Sequence, residues 1–558
     1  MDDRIVRCLV VSDFNSGNFC GLLNNDKSTP IVCAAAGPYG QVAELLLDLG
    51  HPCWRDKPEA LVVWTSPETA VPSFHSLLDF QAIPIEQILE EVDRYTSSLL
   101  GLSGRVPTVF VPTWVLPPQQ RGLGVLELKH GAGAAGALLQ MNARLALALR
   151  ETAGYFVLDA QRWVTSVGPR ACNPQLWYMG KVPFSASVFK EAVADIKAAL
   201  TGLHGQSRKL LLVDLDDTLW GGSVGEVGWP QLSLGGHDPI GEAFVDFQLA
   251  IRSLKHRGVI LGIISKNEET VALEAIRNHP EMVLRLEDFA GWRINWDDKA
   301  RNITDLVDEL NLGLQSVVYI DNDAGQRQRI RGALPEVFVP EWPADKMLYR
   351  ESLWQLRCFD SPVLSLEDLA RADMYAVDRQ RKDSAGAFQT IDEWIRDLRI
   401  AVQIEVLDES NLPRATQLFN KTNQMNLSTR RLAAAELWQW SQREQCRLWT
   451  FRVRDRFGDC GLAGIASLEW ENGRGKVVDF ILSCRAFGRR IEETMLHTLL
   501  HYARCEKLSR VEAVYLATKK NKPCLDFFQG SGFMQFPENT YAWDVREDYP
   551  APADILLC

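Results

Sequence analysis

Paired cysteines are the first thing this sequence lacks: its 12 cysteines are scattered, and none sits in a C-x-x-C pair. Several fall inside apolar strand-like or helix-like runs, so they read as mostly buried free thiols in a reducing compartment. A basic surplus is missing too. Lysine and arginine total 60 against 72 acids, a formal charge of −12, which argues against nucleic acid or an anionic membrane as the main partner. No apolar run approaches the roughly 18 residues that a membrane helix needs. The opening MDDRIVRCLVV lacks the tripartite pattern of a signal peptide, so a cytoplasmic location is expected. Internal repeats and low-complexity segments are absent as well.

What is there is length and alternation. At 558 residues the chain exceeds what one core can organise, and several domains are expected. Short apolar runs such as LVVWTS, LLLVDLD, VILGIISK and SVVYIDND alternate with amphipathic stretches such as QVAELLLDLG. This is the pattern of buried parallel strands covered by helices, and the expected class is α/β. Composition shifts place the boundaries: 1–205, 206–345, a helical connector over 346–395, and 396–558. In the last segment paired strands with glycine turns point to antiparallel ribbons.

The stretch LLLVDLDDTLWGG (210–222) drives an apolar run into clustered acids. On a parallel strand Asp214 lands at the carboxyl end, where open α/β sheets keep their chemistry. Carboxylates this close repel unless a cation lies between them, and a hard cation such as Mg²⁺ takes oxygen ligands. Three further strand or helix termini fit the same chemistry. GVILGIISKNEE supplies Ser265, Lys266 and Asn267, INWDDKARNI supplies Lys299, and SVVYIDND supplies Asp321 and Asp323.

In this order the four stretches resemble the motifs of the haloacid dehalogenase superfamily over about 208–345. The resemblance implies Asp214 as nucleophile, Asp216 as general acid/base, Thr218 and Ser265 on phosphoryl oxygens, and Lys299 as charge neutraliser. Asp214, Asp321 and the backbone carbonyl of Asp216 would hold Mg²⁺. The spacing from Asp214 to Ser265 to Lys299 leaves room for little beyond core helices, so a Rossmann-like core without a large cap is expected.

The whole set, with LPEVFVPEWP, LEDLARADMY, KTNQMNLSTRR and LSCRAFGRRIEE, resembles the FkbH-like family of polyketide-type pathways. That likeness implies transfer of a glyceryl unit from 1,3-bisphosphoglycerate, a phosphorylated three-carbon acid, to the phosphopantetheine of an acyl carrier protein, with removal of phosphate. A phosphatase acting on free small molecules and a non-catalytic carrier-docking scaffold are the alternatives. The chain departs from the family at two places: Asp217 stands where Asn is usual, and Asp321-Asn322-Asp323-Ala324 with Gln326 replaces two adjacent acids, Asn-Pro and a Glu.

In the C-terminal segment Arg485, Gly488 and Arg490 match the R-x-x-G-x-x spacing with which GNAT acyltransferases hold a pyrophosphate, so a GNAT-like α+β domain is expected. Asn521 fits that fold's closing segment. Cys484, beside Arg485 and before a helix, is a candidate thiolate for carrying the acyl group, with Cys20 and Cys524 as weaker competitors. Lys421, Asn423, Gln424, Asn426, Thr429 and Arg430 are candidate ligands of a small phosphorylated hydroxy acid; the same stretch also reads as a capped helical joint. At the N-terminus, VVSDFNSGNF is similar to the first block of SGNH hydrolases. Its Ser12 precedes Asp13, and the late CNPQLWYMGKVPFS has no histidine, so a degenerate, non-hydrolytic SGNH-like domain is expected.

Overall fold

The computed structural model describes residues 5–558 apart from 118, 130–132, 237, 363–365, 387, 423, 433, 484–485 and 519–520; the side chains of 366–368, 370, 382, 383, 385 and 421 are also outside the description. The chain divides into two compact units. One comprises 1–208 with 354–365, the other 209–353 with 366–558.

The first unit is built on five parallel strands, β1 (Ile5–Ser12), β2 (Ile31–Ala36), β3 (Ala60–Trp64), β4 (Thr108–Pro112) and β5 (Tyr155–Leu158), in the order β2-β1-β3-β4-β5. Both faces are covered, as the fully buried run Ala60–Trp64 requires. The order is that of a doubly wound sheet. Trp64 anchors one face, with Phe14, Phe19, Trp163, Phe184 and Phe189 around it. Ser12 ends β1, and its hydroxyl donates to the Phe14 carbonyl at 2.8 Å, while Asp13 accepts from the Ser66 amide and hydroxyl.

The expected connector over 346–395 does not hold together as one piece. Residues 354–365 belong to the first unit because Arg357 reaches the buried Asp195 at 2.5 Å, and the Cys358 carbonyl accepts from Arg208 N–H at 2.8 Å. Helix Leu366–Ala385 instead packs on the second unit, where Arg379 donates to the Leu286 and Phe289 carbonyls.

The second unit carries two sheets. The first has four parallel strands, β6 (Leu210–Val213), β7 (Ile260–Ser265), β8 (Phe289–Ile294) and β9 (Val317–Ile320), ordered β8-β7-β6-β9. All four residues of β6 are buried, each contributing about 1.5–3 kcal/mol of apolar burial. Strand order reverses between β6 and its two neighbours, so the carboxyl ends of β6 and β9 flank a switch-point crevice. Between Asp214 and Lys299 lie a short turn around 220–233, helix Pro239–His256 and helix Glu269–Asn278. Among the described residues no inserted lid domain separates these elements.

The other sheet is nine-stranded and mostly antiparallel. Along β16 (Met534–Phe536), β17 (Thr540–Asp544), β15 (Arg510–Val514), β14 (Arg474–Leu482), β13 (Gly458–Glu471), β12 (Cys446–Asp455), β10 (Ala401–Val406) and β18 (Leu556–Leu557), only β14–β15 and β10–β18 are parallel; β11 (Met425–Asn426) pairs with the end of β14. The β13–β14 turn is Asn472-Gly473, both with positive φ, which two-residue hairpin turns demand. Strand β14 pairs with β15 only over Arg474–Val477, and β11 takes its far end, so the chain leaves the sheet there into the turn that starts helix Ile491–Cys505.

Candidate functional site at the end of strands six and nine

Asp214 follows β6 and Asp321 follows β9, which brings the two carboxylates into one crevice. Lys299 joins them. Its Nζ lies 3.0 Å from Asp214 Oδ2 and 2.7 Å from Asp321 Oδ2, with all three side chains almost wholly buried. The lysine arrives there because Asp298 caps the helix Lys299–Glu309, accepting from the amides of Ala300 and Arg301, and so fixes Lys299 as its first residue.

Two carboxylates and one ammonium leave this crevice one negative charge in excess. Burial pushes the Asp214 carboxyl up to about 6, against the pull of Lys299 and with the push of Asp321. For Lys299, burial works against the charge, but the two carboxylates outweigh it and raise its pKa. Asp214 Oδ1 is buried without a hydrogen-bond partner. That oxygen is the kind of group a cation or a phosphorus centre satisfies, and a buried acceptor left alone is costly.

The neighbouring residues form the rest of the pocket wall. Ser265 lies beside Asp214 and helps draw its carboxyl down against burial, and Asn267 donates to the Ser265 hydroxyl at 3.3 Å. The buried Thr218 accepts from the Asn322 amide at 3.2 Å. Lys266 is exposed. Asp216 accepts at one carboxylate oxygen, Oδ1, from both the Trp220 indole N–H (2.9 Å) and the Val224 amide (3.2 Å), so these two contacts do not use its Oδ2 or its main-chain carbonyl. Asp217 takes φ +53°, a conformation that Asp tolerates, and its side chain closes the turn onto the Gly222 amide.

The replacement of the usual second acid has a structural answer. Asp323 does not swing inward to compensate. It is exposed and caps helix Ala324–Ala333, accepting from the amides of Gly325 (2.6 Å) and Gln326 (3.0 Å). Arg327 secures the turn by donating to the carbonyls of Asp321 and Asn322, both at 2.7 Å. Among the described residues no three His, Cys, Asp or Glu side chains converge as a metal cluster, so two carboxylates and a carbonyl are the set on offer. Such a set suits Mg²⁺, which keeps several waters.

Sequence reasoning missed Tyr319. Its buried hydroxyl donates to Asp321 Oδ2, so this carboxylate is held by a lysine and a phenol together. The signal was available: residues i and i+2 of a strand face the same way, and Tyr319 stands two before Asp321.

The C-terminal candidates are differently placed. Asn426 is fully buried, donating to the Thr422 carbonyl and accepting from the Thr429 amide. Arg430 is clamped by the buried Asp479 and lies over the Trp440 ring at 5.3 Å. Asn521 donates to the carbonyls of Asn426 and Leu516 and accepts from Tyr515 and Thr518. These three side chains are thus engaged inside the fold, because the surrounding strands bury them and their polar atoms need partners. Gln424 donates to Asn311 at 2.9 Å. Gly488 sits at φ +68°, and Arg490 pairs with Asp392 and Asp554. Cys484, Arg485 and Asn423 lie outside the described residues, as does the side chain of Lys421. Burial pushes Cys20 up to about 11 and Cys524 up to about 12, so neither is a ready thiolate.

Comparison with known proteins bears on the fold. No family model and no curated protein matches this chain. Among solved structures it is similar to the N-terminal part of a Bacteroides fragilis protein that contains a phosphatase domain and is complexed with Mg. The match has 24% identity and a TM-score of 0.59, and covers 64% of this chain and 95% of that one. This chain and that protein share a mixed α/β architecture with parallel sheets. Smaller matches covering 26% of this chain include a domain from Methanocaldococcus jannaschii (16% identity, 97% of that chain, TM-score 0.22) and the ribosomal-protein-S18-alanine N-acetyltransferase from Escherichia coli (10%, 94%, 0.20). No helix among the described residues is long and apolar enough to cross a membrane.

Proposed function

We propose that this chain is a Mg²⁺-dependent enzyme that loads a glyceryl unit from 1,3-bisphosphoglycerate onto the phosphopantetheine of an acyl carrier protein and removes phosphate at Asp214. The observation that carries the phosphatase half is the Asp214–Lys299–Asp321 crevice with its unpartnered Asp214 oxygen. The magnesium in the similar Bacteroides structure supports the same metal here. When bound, Mg²⁺ supplies positive charge between the carboxylates and the phosphoryl oxygens.

In the phosphatase half, an Asp214 oxygen attacks phosphorus and the P–O ester bond breaks. The leaving alkoxide takes its proton from Asp216. Water then attacks the aspartyl phosphate and gives a proton back to Asp216. Lys299 holds the charge of Asp214 and Asp321 in register throughout, while Thr218, Ser265, Lys266 and Asn267 meet the phosphoryl oxygens. In the acyl half, a cysteine thiolate, Cys484 by its sequence position, attacks the acyl phosphate carbonyl. The C–O bond to phosphate breaks, inorganic phosphate leaves, and a thioester remains. The carrier thiol then takes the glyceryl group and its proton passes to the cysteine. Either half can come first.

The test is intact-protein mass spectrometry after incubation with Mg²⁺ and 1,3-bisphosphoglycerate generated in place, with and without pantetheinylated carrier. Wild type, Asp214→Asn and Cys484→Ala are compared. A glyceryl adduct that moves to the carrier and disappears in Cys484→Ala supports the reading. No adduct in a folded, Mg²⁺-binding protein sinks the glyceryl reading and leaves a phosphatase of free small molecules, read by phosphate release.

A further inference from the structure

Residues 486–490, just before helix Ile491–Cys505, have the outline of an anion cradle. Gly488 and Arg490 both take positive φ, and the helix N-terminus opens onto the turn. Backbone N–H groups so arranged hold phosphate oxygens in many folds. Here one of those donors, the Gly488 N–H, is already taken. Glu492, the second residue of the helix and only 5% exposed, folds back so that the Gly488 N–H donates to its Oε1 at 2.9 Å. Its Oε2 is buried with no hydrogen-bond partner. The described guanidinium groups of the turn are spent as well: Arg489 lies 2.8 Å from the buried Asp455, and Arg490 pairs with Asp392 at 2.5 Å and Asp554 at 3.4 Å.

A diphosphate entering this turn would have to displace the carboxylate from Gly488, then sit beside that carboxylate with little water to screen the two charges. We infer that Glu492 sets the acceptor selectivity of the C-terminal domain: its carboxylate occupies the turn, excludes the diphosphate of free coenzyme A, and restricts the acceptor to a pantetheine thiol whose phosphate is borne on a protein. A protein-borne arm ends in a single phosphodiester at the carrier surface, so it can present its thiol without putting a diphosphate on Gly488. The inference rests on the carrier-directed reading above and adds what that reading leaves open, the basis for refusing the free cofactor.

Calorimetric titration of the full-length chain at pH 8, where Glu492 is ionised, with free coenzyme A, and separately with a phosphopantetheinylated carrier protein, tests it. Wild type should bind coenzyme A more weakly than about 1 mM. Glu492→Ala, which empties the turn, should bind it at least about tenfold more tightly, with carrier affinity changed less than about twofold. Glu492→Gln keeps the shape and removes the charge, so it should fall between the two; it also serves if the alanine variant fails to fold, as circular dichroism would show. Wild type binding coenzyme A as tightly as Glu492→Ala, with carrier still bound, overturns the selectivity inference alone. If none of the three proteins binds coenzyme A or carrier, both the inference and the carrier-directed reading fall.

Discussion

Two buried ionic clusters in the second unit make an instructive pair. At the end of β6 and β9, Asp214, Lys299 and Asp321 hold two acids against one base, and one oxygen has no partner. In the C-terminal sheet, Asp455 holds two bases, Arg381 at 2.6 Å and Arg489 at 2.8 Å, and Cys460 lies within 4.0 Å of both guanidinium groups. Both clusters are buried and hydrogen-bonded. The first leaves an acceptor unspent on a strand end that opens into a crevice, whereas the second ties helix Leu366–Ala385 and the 486–490 turn to the β12–β13 hairpin. The difference teaches where chemistry and where architecture reside: an ionic cluster that retains an unsatisfied oxygen is built to receive something.

Asp214→Asn should break that comparison most sharply. On the proposed mechanism phosphate release should fall on the order of a thousandfold or more, because the amide cannot serve as nucleophile, while circular dichroism and thermal unfolding stay near wild type. A variant that keeps a tenth of the activity would show that Asp214 belongs to the architectural class. The converse holds for Asp455→Ala. Removing the carboxylate takes the acid partner from the buried Arg489 and leaves Arg381 with Asp378 alone, and loss of one partner of a buried pair costs about 3–5 kcal/mol. Denaturant unfolding of the C-terminal region should show that loss; an unchanged midpoint would mean water or another acid replaces Asp455.

The same contrast explains what the sequence made legible. Asp214, Ser265, Lys299 and Asp321 could be read because each stands at a strand or helix end, and parallel strands deliver their ends to one edge. The roles of Asn426, Arg430 and Asn521 were not legible, since their partners come from far along the chain: Asp479 is 49 residues from Arg430, and the Asn426 carbonyl is 95 from Asn521. No local pattern announces such partners. The transfer of 354–365 to the first unit rests on Arg357 meeting Asp195 across 162 residues, and was hidden for the same reason. Asp323 was misleading in the opposite sense. It has the chemistry of a ligand, but an acid just before a helix is used first as a cap.

A smaller perturbation sharpens the comparison from the active-site side. Tyr319→Phe deletes the hydroxyl that donates to Asp321 and leaves the ring packed. On the proposed reading Asp321 is a Mg²⁺ ligand, and partners one step behind such a ligand typically contribute 10- to 100-fold in metal affinity or activity. The expected outcome is about a tenfold higher Mg²⁺ requirement for phosphate release, with thermal stability nearly unchanged. Equal Mg²⁺ titrations for the two proteins would mean that Lys299 and the Asp323 N–H position Asp321 without the phenol.

The mildest effect should come from Glu492, whose carboxyl is pushed by burial to about 7, with the Gly488 N–H and Arg489 drawing it back and Glu493 adding to the push. In the unfolded chain this group would lose its proton near 4.5, the usual value for Glu. Between these two pH values the folded protein retains a proton that the unfolded chain has released, so stability falls as pH rises from about 4.5 to about 7. Glu492→Gln has no proton to release and should flatten that slope. Thermal unfolding from pH 5 to pH 8 should therefore find the variant gaining on wild type as pH rises, whereas parallel profiles would mean the wild-type carboxylate is stabilised at Gly488 as an anion and titrates like any exposed glutamate.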